Sequence, residues 1–159
     1  MSNPSYTTVF TVDRAPDQVF DAINDVRSWW MTKVEGSNRS VGDEFSYRVP
    51  GVHFCRMRVT ELVPGEKVVW TVVDNHMGFI EDQREWVGTE IRFELTAQDG
   101  ATEVSFTHDG LVPSYECFDI CENAWTFYIQ DSLRSLAATG EGKPSDPDTL
   151  SLGGEARVG

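Results

Sequence analysis

The feature that most constrains this chain is a single change of apolar period near its C-terminal end. Before Pro113 the apolar residues recur mostly at every second position. Beyond it, Phe118, Cys121, Trp125, Ile129, Leu133 and Leu136 step by three or four residues. That spacing predicts one amphipathic helix of about five turns with a continuous apolar stripe. Gly140 stands where a helix C-cap is expected.

The preceding stretches read as strands, with one helical interruption. Tyr6, Thr8, Phe10 and Val12 fall on one face of a first strand. Ala15-Pro16-Asp17 opens a helix, with proline early in the first turn and an acid near the positive end of the dipole. Val19, Phe20 and Ile23 keep helical spacing, and a second short helix is expected to carry Trp29 and Trp30. Period two then returns over 44–49, 53–62, 68–73, 89–96 and 102–108. Pro50-Gly51, Pro64-Gly65 and Asp99-Gly100 mark turns, the last a hairpin. Asp74 to Gly88 has weak periodicity and reads as a loop or an irregular edge strand.

A meander with one apolar face needs a cover, and only the C-terminal helix is long enough to supply it. The expected class is therefore α+β. A curved antiparallel sheet of about six or seven strands wraps around the long C-terminal helix, with two short helices after the first strand. A curved sheet rarely closes tightly on a straight helix, so a cavity between them is expected. At 159 residues this is a single domain, taken as 1–140. Residues 141–159 are rich in Gly, Pro, Ser and Asp and read as a flexible tail.

Charge and motifs narrow the function. A net charge of −13 argues against binding to nucleic acid or anionic lipid, which would be repelled. No apolar run approaches the roughly 20 residues of a membrane span. Met1 to Ser5 lacks the basic and apolar regions of a signal peptide, so the cytoplasm is the expected compartment. Cys55, Cys117 and Cys121 make an odd set with no further metal-ligand motif, and read as reduced, buried thiols. Glu81, Asp82 and Glu85 read as a solvated acidic loop. No nucleophile elbow, zinc-protease, phosphate-loop or dinucleotide motif is present, so no cofactor or metal is expected.

Several segments carry a family resemblance in their order and spacing. They are Ala15 to Ile23, Trp29-Trp30, Val41-Gly42-Asp43-Glu44-Phe45, Val63-Pro64-Gly65-Glu66, Trp86-Val87-Gly88-Thr89, Thr107-His108-Asp109-Gly110-Leu111 and Trp125. Together they resemble START-like (SRPBCC) domains. More narrowly they are similar to the family named after the C-terminal domain of the activator of heat-shock-protein-90 ATPase. The resemblance spans roughly residues 5–138 and implies a helix-grip fold with an apolar cavity under the long helix. It implies no single activity, because members include ligand carriers, cyclase-like enzymes and co-chaperone modules. The matching motifs are mainly structural, so no catalytic residue is carried over.

The candidate site is the concave face. Phe45, Tyr47, Met57, Phe93, Phe106 and His108 are placed there from the sheet, with Cys121 and Trp125 facing them from the helix. Trp29 and Trp30 are adjacent and are expected to point in different directions, one into the core and one at the cavity mouth. Trp30 joins the candidate ligand-binding set, though the assignment between the two stays open. Each of these residues singly reads first as core; the sharper reading is that several together line a pocket. His108 reads as a hydrogen-bonded, semi-buried histidine before it reads as a catalytic one, and His53 sits at the rim. Three functions remain. The first is binding of a small hydrophobic or aromatic molecule without chemistry, since aromatic and Met side chains offer large, adaptable contact area. The second is a cyclase or dehydratase using His108 and Tyr47 as acid and base. The third is a chaperone-linked or stress-related module with a protein partner.

Overall fold

The computed structural model describes residues 5–49, 53–77, 86–111 and 118–146. Seven strands form one antiparallel sheet: β1 (Tyr6–Val12), β2 (Glu35–Gly36), β3 (Glu44–Val49), β4 (His53–Val63), β5 (Lys67–Met77), β6 (Glu90–Gln98) and β7 (Ala101–Asp109). Their order is β1-β7-β6-β5-β4-β3-β2, so the first strand closes onto the last. Two short helices, α1 (Pro16–Asn24) and α2 (Val26–Trp29), follow β1 as expected.

Alternation decides which side chains enter the core. Cys55, Met57 and Val59 of β4 are buried, while Arg56, Arg58 and Thr60 between them are exposed. On β6 and β7 the inward set is Ile91, Phe93, Leu95, Thr102, Val104, Phe106 and His108. The β6–β7 turn places Asp99 at φ +48° and Gly100 at φ +87°. Two successive left-handed residues make the tight turn whose twist matches the strands, which is why Asp-Gly stands there.

The first part of Asp74 to Gly88 takes the second of its two expected forms, an irregular strand. β5 continues to Met77, and Phe54↔His76 and Cys55↔Asn75 are in register with β4. Irregularities between Arg56 and Met57, and between Val59 and Glu61, shift the β4–β5 register. The first skips Val73, so Val72 and Asn75 both face inward, and simple alternation is lost. Bulges of this kind also bend and twist the strand pair. Residues 78–85, with the acidic Glu81, Asp82 and Glu85, lie outside the described residues, as do Pro50-Gly51 and Cys117.

The C-terminal helix runs over 118–139, but it is not α-helical throughout. α3 (Phe118–Thr126) passes into a π-helical segment (Phe127–Leu133) and then into α4 (Arg134–Thr139). The inward residues Cys121, Trp125, Ile129, Leu133 and Ala137 repeat every fourth position. At 3.6 residues per turn such a stripe drifts by about 40° per step. The wider i→i+5 turns rotate less per residue and bring the stripe back toward the sheet. Gly140 ends the helix at φ +88°, donating its N–H to the Leu136 carbonyl at 2.9 Å.

Residues 141–146 are packed against the body, contrary to the tail expected from Glu141. Ser145 is buried, donates its N–H to the Trp30 carbonyl and accepts from the Thr32 N–H, both at 2.9 Å. Lys143 N–H donates to Ser132 Oγ at 2.7 Å. Gly142 is required here, because a Cβ would collide with the Ser28 carbonyl oxygen. Residues 147–159 lie outside the described residues.

Candidate functional site

All nine candidate residues are buried; eight belong to one continuous apolar core cluster, and His108 packs on it through Trp86 and Trp125. Trp30 is the hub. Its ring lies 5.0 Å from Tyr47, 5.0 Å from Trp125 and 6.0 Å from Trp70, centroid to centroid. Phe106 sits 4.7 Å from Trp125 and 5.1 Å from Phe93. Phe45 stands edge-on to Trp70 at 4.9 Å. The Cys55 thiol lies 3.0 Å from the Met57 sulfur. Neither Cys55 nor Cys121 is in a disulfide, and burial pushes the Cys55 thiol well above its ordinary pKa.

The tryptophan pair departs from expectation. Trp29 and Trp30 are both fully buried, and their rings stack at 5.8 Å with 13° between planes. Adjacent side chains diverge in a regular strand, but Trp30 is the C-cap of α2 and turns back at φ −107°, ψ −76°. Trp29 Nε1–H donates to the Ile23 carbonyl at 3.0 Å, which leaves Trp30 as the ring facing the helix. Ser132, in the π-helical segment, donates to the Trp29 carbonyl at 2.7 Å. Helix, C-terminal strap and α2 are thus tied together behind the tryptophan pair.

Sequence reasoning omitted Trp70 and Trp86 from the site. Trp70 shares the inward face with Val68 and Val72, a signal present in the period-two pattern of β5. Trp86 gave no periodic signal, because it lies in a turn between β5 and β6. It is aimed inward by its backbone N–H, which donates to Asn75 Oδ1 at 3.1 Å. Its ring then stacks on Trp125 at 6.0 Å with 11° between planes. All five tryptophans of the chain therefore belong to one cluster.

His108 is fully buried and has partners at both ring nitrogens. Trp125 Nε1–H donates to Nδ1 at 3.0 Å, so Nδ1 carries no proton. Nε2–H then donates to Thr89 Oγ1 at 2.8 Å, and the Thr89 hydroxyl donates to the Trp86 carbonyl at 2.6 Å. The tautomer follows from this chain of donors. Burial holds the ring neutral, with its pKa lowered to about 3. While the chain is closed, neither nitrogen is available to a substrate. His53 is also held neutral, its pKa lowered to about 4 by burial and then by His76. Its Nδ1 lies 3.4 Å from the Tyr47 hydroxyl, whose own pKa burial raises well above its usual value. This long contact is a weak basis for proton transfer.

The aromatic row runs between two surface grooves. One, of about 530 Å³, has Tyr47 in its wall together with Arg27, Lys33, Val34, Arg48 and Phe54. The other, of about 520 Å³, is walled by Thr89 with Val87, Glu90 and Asp109. Tyr47, Trp30, Trp125, His108 and Thr89 connect them through the core in successive contacts. Among the described residues no group of three or more His, Cys, Asp or Glu could hold a metal ion. Among the same residues no helix is long and apolar enough to cross a membrane.

The model of the activator of Hsp90 ATPase homolog 1-like protein family matches residues 13–138. Among solved structures the chain is similar to the Aha1 dimer from Colwellia psychrerythraea, with 24% identity and a TM-score of 0.70, over 89% of this chain and 100% of that one. It is also similar to DynU16, a protein of the dynemicin biosynthetic locus, with 14% identity and a TM-score of 0.64, over 89% of this chain and 49% of that longer one. CalU16 from Micromonospora echinospora shares 13% identity at a TM-score of 0.60, over 84% of this chain and 74% of that one. At these identities the likeness speaks to fold. No curated protein matches the chain.

Proposed function

This chain belongs to the activator of Hsp90 ATPase homolog 1-like protein family, and from that premise we propose that it binds a small aromatic or hydrophobic molecule between the concave face of its sheet and the C-terminal helix. The observation that carries this reading is the aromatic row itself. Five indoles, with Phe45, Tyr47, Phe93 and Phe106, meet as one continuous aromatic row within the core. Flat, rigid rings bury large area at low entropic cost and prefer offset stacking. Trp30 with Trp70 and Trp125 with Trp86 are near-parallel pairs, whose faces are the kind of surface on which another flat ring stacks. The groove at Tyr47 offers a route to Trp30. The π-helical turns facing the cluster add local plasticity, since such turns interrupt α-helical hydrogen bonding and recur at functional sites.

The test is a thermal-shift screen of the purified chain against fatty acids, sterols, flavonoids and aromatic polyketides, read in parallel by tryptophan fluorescence. A ligand at 100 times its Kd adds about 2.7 kcal/mol. At about 2–4 °C per kcal/mol that is a shift of roughly 5–11 °C. Because every indole lies in the cluster, binding there must also change the emission. A thermal shift without an emission change would place the ligand elsewhere and refute this site.

A further inference from the structure

Among the described residues, three buried side-chain polar atoms lack a hydrogen-bond partner: Asn24 Oδ1, Trp70 Nε1 and Trp86 Nε1. Asn24 ends α1, outside the ring cluster. The other two are donors inside it. Buried polar groups are almost always satisfied, and an indole nitrogen can only donate. The neighbouring rings offer no acceptor to spare. Trp70 is packed by Trp30, Phe45 and Phe93, which are ring faces and edges. Trp86 is packed by Trp125, His53 and His108; the one acceptor nitrogen of His108 is already taken by Trp125, and the two ring nitrogens of His53 face the Tyr47 hydroxyl and the Asn75 amide. The cluster therefore has a surplus of donors. No Lys or Arg is buried among the described residues, and both histidines beside the rings are neutral.

Resting on the ligand-binding reading above, we infer that the cluster takes a neutral, flat molecule bearing a carbonyl oxygen, an aryl ketone or quinone, whose oxygen accepts the indole N–H of Trp86 or Trp70. A pure hydrocarbon leaves both donors unmade. A carboxylate gains a hydrogen bond but loses its hydration without a cation to replace it. A ketone supplies an acceptor at little desolvation cost, so the class is selected by what the protein leaves unsatisfied.

The experiment compares matched ring systems on the full chain by isothermal titration calorimetry: fluorene, 9-fluorenone and fluorene-9-carboxylate. Fluorenone is expected to bind about tenfold more tightly than fluorene, the order of one net neutral hydrogen bond. The carboxylate is expected to bind more weakly than fluorenone. In Trp86→Phe or in Trp70→Phe the fluorenone-to-fluorene ratio is expected to fall toward one, whatever the change in affinity common to both ring systems. Equal affinity for fluorene and fluorenone in the parent chain overturns this inference and leaves the ligand-binding reading standing. So does a ratio that survives in both variants, or a carboxylate that binds as tightly as the ketone. Binding of none of the three ring systems overturns both. The comparison in the parent chain needs no substitution, so it holds even if a variant folds poorly.

Discussion

The buried His108 makes stability depend on pH in a way that can be worked out beforehand. Its pKa in the folded chain is lowered to about 3 by burial, against an ordinary value of 6.5. Between those limits the unfolded state binds a proton that the folded state refuses. Stability from this ring is therefore fully present above about pH 6.5 and is lost as pH falls toward 3. At pH 5 the difference amounts to about 1.5 pH units at 1.36 kcal/mol each, or about 2 kcal/mol. For a chain of this length that lowers Tm by roughly 4–8 °C. Carboxylates and His53 also titrate, so the assay is a difference. Urea unfolding of the parent and of His108→Gln would be followed from pH 7.5 to 4.5. Glutamine can accept from Trp125 and donate to Thr89, yet it has no proton to gain. The stability gap between the two proteins is expected to narrow by about 2 kcal/mol on going from pH 7.5 to 5. Parallel curves would refute the argument. An NMR titration of the parent chain gives an independent check. An assigned His108 imidazole that titrates near 6.5 while the protein is folded would show that the ring is not sealed in the Trp125–His108–Thr89 chain.

Other outcomes follow from single contacts. Ser132→Ala removes the donor to the Trp29 carbonyl and the acceptor for the Lys143 N–H, and should cost about 1–3 kcal/mol in urea unfolding. Gly142→Ala forces a methyl against the Ser28 carbonyl and should lower Tm and perturb the near-ultraviolet circular dichroism of the adjoining tryptophans. Gly100→Ala meets open space but keeps φ near +87°, so about 1 kcal/mol of purely conformational cost is expected from denaturant unfolding. Arg58→Ala breaks a pair with Glu44 at 2.6 Å, but both side chains are substantially exposed, and stability should stay within about 0.5 kcal/mol.

Much of the fold was legible because period decides burial. The change of spacing beyond Pro113 located the helix that covers the sheet, and alternation in β1, β3, β4, β6 and β7 located its concave face. Eight of the nine candidate residues came from counting by two in strands or by three and four in the helix. What stayed open or was missed has a common physical origin. Asp74 to Met77 reads as either a loop or an irregular edge strand because a bulge at Val73 breaks the alternation that a strand is recognised by. Residues 141–146 were read as tail because their order comes from partners far away in sequence, Trp30, Thr32, Tyr128 and Ser132. Composition alone cannot register such contacts.

Trp86 shows why the site was harder to read than the fold. Its inward direction depends on Asn75, which itself faces inward only because of the bulge, so one irregularity in β5 sets two further positions. Thr89 depends in turn on the same turn, and through it His108 acquires its second partner. A histidine on an apolar strand face reads first as a hydrogen-bonded core residue, with a base as the second reading. The difference lies in one hydroxyl 19 positions earlier in the chain. The same turn that satisfies His108 leaves the Trp86 indole N–H without an acceptor. A Phe at that position would leave no donor unpaired. Keeping an indole there makes physical sense when something else arrives to accept its proton.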